Sequence, residues 1–194
     1  MASDLQKTHG KSRFTALLAA MICVVVNLAA KKTASADNVS TPSPELSVHI
    51  ADATLVGRGV LKIYWAKVYL ISHYIKDTDN DGKPDTIILH YDYLRDVPKY
   101  ATIDASRDEF TRYSHITDEK LTAWIDYLDK ALTDMKTDDQ AIIVREADGK
   151  IHFYKENTPP IIVTDAEFSK VFFDIWLGVE TSYPTLRKQL LALN

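Results

Sequence analysis

One cysteine in 194 residues, six glycines and no strongly basic segment exclude much chemistry before any motif is read. The cysteine, Cys23, lies in an N-terminal apolar run, so the rest of the chain can build neither a disulfide framework nor a thiolate zinc site. The glycines form no Gly-x-Ser-x-Gly turn, the elbow that exposes a serine nucleophile in many hydrolases. The histidines beyond residue 36 are His49, His73, His90, His115 and His152, and no two stand four apart on a predicted helix beside an acid. Histidine-held zinc is therefore not expected. The main apolar run, Phe14 to Ala30, contains Asn27 and falls short of the roughly 20 apolar residues that span a bilayer.

That run has the order of a secretory signal. Lys7, Lys11 and Arg13 precede it, and Ala34-Ser35-Ala36 follow before Asp37, which places cleavage after Ala36 and export to the periplasm or medium. Ile22 before Cys23 is too bulky for a lipoprotein signal. Removing residues 1–36 takes five of the 23 basic residues and one of the 27 acidic ones, leaving a net charge of −8. Such a domain repels phosphate backbones, so no nucleic-acid partner is expected, and no stable membrane insertion after cleavage. Residues 37–45, with Pro42 and Pro44, read as a polar tether, and residues 46–194 as one domain. The sequence does not specify its oligomeric state.

Within the domain, Val60 to Ile75 reads as two strands bending near Ala66, and Thr86 to Tyr93 as a third. Pro98 to about Tyr113 suits a helix capped by Asp96, with a thin apolar stripe of Ala101, Ala105 and Phe110. Thr117 starts a second helix whose Leu121, Trp124, Ile125, Leu128 and Leu132 share one face. Gln140 to Ala147 and Lys150 to Lys155 form a hairpin about Asp148-Gly149, and Ile161 to Val163 is a short strand. A capping box of Thr164 and Glu167 opens a helix that aligns Phe168, Val171, Phe172, Ile175 and Trp176 and stops at Gly178, and a last helix runs from Pro184 to Ala192. Strands in runs and helices in runs mean α+β, an antiparallel sheet with helices packed on one face.

Four segments carry a family resemblance. They are Leu55-Val56-Gly57-Arg58-Gly59 followed by Lys67-Val68-Tyr69; Tyr93-Leu94-Arg95-Asp96; Phe172-Phe173-Asp174-Ile175-Trp176-Leu177-Gly178; and Leu186-Arg187-Lys188-Gln189-Leu190-Leu191. In this order and spacing the chain resembles the bacterial chalcone isomerase-like family. The resemblance implies a curved open-faced sandwich whose cleft, between sheet and helices, holds a flavonoid or a fatty acid in relatives. The isomerases proper place an arginine shortly after the first glycine pair. Here Val60, Leu61 and Lys62 follow Gly59, while Arg58 precedes it, so a binding role is expected rather than isomerase activity.

Two constellations are candidates for chemistry. Asp77, Asp79, Asp81 and Asp85 stand at positions 1, 3, 5 and 9 of a loop with Gly82 at position 6, the opening of a calcium loop, though Ile88 occupies the position where a bidentate Glu would close the shell. The same residues also suit an ordinary acidic turn, and no cofactor other than calcium is expected. Tyr69 and Tyr91, flanked by Arg58 and Arg95, are the candidate contacts for a small amphipathic ligand, fatty-acid-like or phenolic. An isomerase or lyase using Arg58 or Arg95 to stabilise an oxyanion is the enzymatic alternative, and an interaction module with a filled cleft is the structural one.

Overall fold

The computed structural model describes residues 42–79 and 81–193. The expected signal peptide and the tether as far as residue 41 lie outside them. The elements are α1 (Pro44–Ile50), β1 (Thr54–Ile63), β2 (Ala66–Lys76), β3 (Thr86–Tyr93), α2 (Lys99–Phe110), α3 (Asp118–Ala131), β4 (Gln140–Glu146), β5 (Ile151–Lys155), β6 (Ile161–Val163), α4 (Ala166–Leu177) and α5 (Pro184–Leu190). The six strands form one sheet in sequence order, each antiparallel to its neighbours. Each predicted strand and long helix is present.

Alternation along the strands divides the sheet into two faces. Tyr69, Ile71, Leu89, Tyr91, Tyr93, Ile143, Ile151 and Phe153 point to the face that α2 to α5 cover, forming the main core with Phe110, Trp124, Phe168 and Phe172. Tyr74, Ile88, Ile142 and Val144 point the other way and pack against Leu46 of α1. Every residue of β3 from Ile88 to Tyr93 is buried, which is why its sequence reads as a nearly continuous apolar and aromatic run.

The tether reading does not hold at its end. Pro44 and Glu45 form the first turn of α1, whose cap is Ser43, with Oγ accepting from Leu46 N at 3.4 Å. Ser43 N also donates to Gln140 Oε1 at 3.0 Å, fixing the helix start to β4. A seven-residue helix has too little length for a periodic signal, and its stability comes from docking Leu46, which is 1 % exposed.

Two caps also differ from expectation. Asp165, not Thr164, caps α4: its Oδ1 accepts from Phe168 N at 2.9 Å, while its Oδ2 accepts the Trp124 indole N–H at 3.1 Å. One carboxylate thereby starts α4 and ties it to α3. Glu167 turns instead to Lys120 of α3, at 2.6 Å. Asp96 does not cap α2; its carboxylate accepts from Thr137 N at 2.9 Å, and α2 begins after Pro98 with no side-chain cap. Thr117 caps α3 as predicted, and Gly149 holds the hairpin turn at φ 85°.

The glycine pair of β1 has a packing reason. A Cβ on Gly57 would lie 2.2 Å from Gln189 O, and one on Gly59 2.5 Å from a Leu186 methyl, so α5 can rest directly on β1 only because both side chains are absent. Beside them the His73 Nδ1–H donates to Leu190 O at 3.0 Å, satisfying a carbonyl at the helix end, and burial lowers the pKa of this imidazole.

Candidate functional site

Between the sheet and the helical layer lies a cavity of about 350 Å³. Its floor is Leu61, Ile63, Tyr69, Tyr91, Tyr93 and Ile143, and its roof is Ala101, Thr102, Ala105 and Ser106 of α2 with Phe172, Ile175 and Trp176 of α4. The thin alanine stripe of α2 is the reason space remains: small side chains face a sheet that bulkier ones would have filled. The exposed residues of the lining, Lys130, Thr133, Thr158 and Pro159, lie at and just after the end of α3 and in the β5–β6 loop and mark the opening. Such a volume falls at the lower end of small-molecule sites.

Strand register assembles an aromatic patch in this cavity. Tyr69 pairs with Tyr93 across β2 and β3, and Tyr91 lies two residues earlier on the same face. Ring centroids are 5.5 Å apart for Tyr69 and Tyr91, 5.4 Å for Tyr69 and Tyr93, and 6.0 Å for Tyr69 and Trp176. Trp176 in turn stacks on Tyr183 at 5.4 Å. Burial raises the pKa of all three strand tyrosines well above the usual phenol value, and neighbouring phenols or Asp139 add to the shift. They therefore stay protonated and act as hydrogen-bond donors. Glu109, buried on α2, also lines the cavity; burial raises its pKa, while Ser182 and Arg112, the latter at 3.8 Å, act in the opposite sense.

Of the four expected ligand contacts, Tyr69 and Tyr91 meet in this cavity and the arginines do not. Arg58 is in register with Ser72, which is in register with His90, on the opposite face of the sheet. Arg95 follows β3 outside the lining and donates from Nε to Lys67 O at 3.0 Å. Ser72 and His90 are buried; among the described residues Ser72 Oγ and His90 Nε2 have no hydrogen-bond partner, and His90 Nε2 lies 3.8 Å from Asp92 Oδ1. Sequence reasoning missed Tyr93, Trp176 and Glu109. The first was visible as the alternate residue after Tyr91; Trp176 reads as plain core because it shares a helix face with Phe172; nothing in the sequence marks Glu109.

In the acidic loop, Asp77, Asp79 and Asp85 each bring a carboxylate oxygen within 4.8 Å of the others. Asp81 is not among them, and its Oδ1 accepts from Lys83 N at 2.7 Å. Asp77 Oδ2 accepts from Gly82 N at 3.0 Å, Asp79 Oδ1 from Asp81 N at 3.2 Å, and Asp85 Oδ2 from Thr78 N at 2.7 Å. The Thr78 hydrogen bonds lower the pKa of Asp85. Ile88, at the position of the closing ligand, is fully buried on the α1 side of β3.

A six-stranded antiparallel sheet roofed by helices over an apolar cavity defines an open-faced α+β sandwich. The family model described as chalcone isomerase-like matches residues 33–192, and the chain belongs to that family. No curated protein matches the sequence. Among solved structures, a fatty-acid binding protein of Arabidopsis thaliana is similar in fold, with a TM-score of 0.54 at 11 % identity over 72 % of this chain and 87 % of the other.

Proposed function

We propose that this chain is an exported, non-catalytic chalcone isomerase-like domain that holds one small amphipathic molecule, fatty-acid-like or phenolic, between its sheet and α2. The observation that carries the reading is the cavity itself: apolar walls, a patch of protonated phenols, and an opening at the end of α3. The fatty-acid binding neighbour supports a chain-like ligand. A module with a filled cleft would leave no such space. The isomerase alternative rests on Arg58 or Arg95 as the cation at the ligand, and neither reaches the lining. Incubated with a chalcone, the purified domain is expected to give no cyclised product above the uncatalysed rate; turnover that disappears in Arg58→Ala would overturn the non-catalytic reading.

The acidic loop supports a second, independent proposal, a weak calcium site on Asp77, Asp79 and Asp85, favoured by the convergence of their oxygens. Without a closing carboxylate the affinity belongs near the 10⁻⁴ to 10⁻³ M range typical of extracellular modules. Calcium at about 100 times the dissociation constant would add roughly 2.7 kcal/mol of stability. The expected result is a melting temperature higher by several degrees, lost in Asp79→Asn. No shift at about 10–100 mM calcium, roughly 100 times that range of dissociation constants, would leave the loop as an acidic turn held by its own carboxylates.

A further inference from the structure

We propose that the polar patch of Tyr69, Tyr91, Tyr93 and Trp176 selects an uncharged hydrogen-bond acceptor, such as an ester or ketone oxygen, and rejects a carboxylate. This deepens the proposed function and rests on the cavity being a ligand site. The four groups offer donors. Trp176 is 8 % exposed, and its indole N–H, although it approaches Tyr91, makes no well-formed hydrogen bond among the described residues. Tyr69 and Tyr93 are buried and line the same cavity beside it. Buried donors without partners are costly, so an acceptor that meets them is held strongly.

Charge decides which acceptor. The ionisable groups that act on the three phenols are one another, Tyr183 and Asp139, an acid, and a second acid, Glu109, lines the same cavity. Lys130 stands at the opening, and Lys155, also in the lining, is already held by Thr133 Oγ1 at 2.9 Å, Asp134 O at 3.2 Å and the Asp139 carboxylate at 3.7 Å. A carboxylate placed on the patch would give up its water without gaining a cation, whereas an ester oxygen gives up far less.

Dodecanoate, methyl dodecanoate and dodecane, titrated against the wild-type domain at about pH 8, where the acid is ionised, test this through the fluorescence of Trp176 in the cavity wall. The ester is expected to bind at least about tenfold more tightly than the acid. In Tyr91→Phe and Tyr93→Phe its affinity should fall about fivefold, as for one uncharged hydrogen bond, with dodecane unchanged. Should the variants fail to fold, the wild-type comparison alone decides. An ester that binds no more tightly than the acid, or a preference that survives both substitutions, overturns the selection and leaves the cavity as a ligand site. If none of the three ligands binds, the proposed function falls and this inference with it.

Discussion

Ala105→Phe should weaken ligand binding about a hundredfold in a domain that still folds. Ala105 is on the cavity face of α2, and a phenyl ring there projects into the space opposite the strand tyrosines. If the ring displaces about four methylenes of a bound chain, at roughly 0.8 kcal/mol for each buried CH₂, the loss is near 3 kcal/mol, on the order of a hundredfold in affinity. Overfilling a packed site typically costs about 1–3 kcal/mol of stability, but the ring enters an existing void, so the cost should fall at the low end. Titration with a long-chain ester and a thermal melt, run on both proteins, separate the two effects. Undiminished binding in a folded Ala105→Phe protein would place the ligand elsewhere.

Gly57→Ala should be strongly destabilising, more so than Gly59→Ala. Its new Cβ would lie 2.2 Å from Gln189 O and 2.7 Å from Leu190 O, both backbone atoms of the α5 end that no rotamer change can move. Relief requires α5 to lift from β1, loosening Leu186 and Leu190 in the core and the His73 hydrogen bond to Leu190 O. A loss of about 3 kcal/mol follows, the upper end of overpacking costs, and for a domain of this size a melting temperature lower by roughly 10 °C. Gly59→Ala should cost less, because its nearest contacts are side-chain atoms of Leu186 and Gln189 that can rotate away. Equal effects at the two positions would contradict this account of the glycine pair.

How far the sequence was legible depended on the kind of signal. Long periodic segments were readable: the Thr86–Tyr93 strand and the Phe168 to Trp176 face are encoded locally by their own spacing. Short or tertiary features were not. Helix α1 exists because Leu46 finds a pocket formed by residues from three different strands, and Asp165 wins the capping role over Thr164 because its second oxygen has a partner, Trp124, 41 residues away. The candidate site divided along the same line. Tyr69 and Tyr91 share a face by strand alternation, a local rule. Arg58 occurs in the same stretch of sequence but one residue out of phase, and that single step sends it through the sheet to the opposite face. The void under α2 arises from a relation between Ala101, Ala105 and a distant strand pair, which no local pattern expresses.

The central claim is that this cavity holds a molecule, and the most direct measurement is mass spectrometry of the organic extract of the purified domain, with Ala105→Phe purified in parallel. The account predicts close to one amphiphile per wild-type domain and almost none in the variant. A wild-type extract without any such molecule, from protein that also fails to take up added ester, would contradict it.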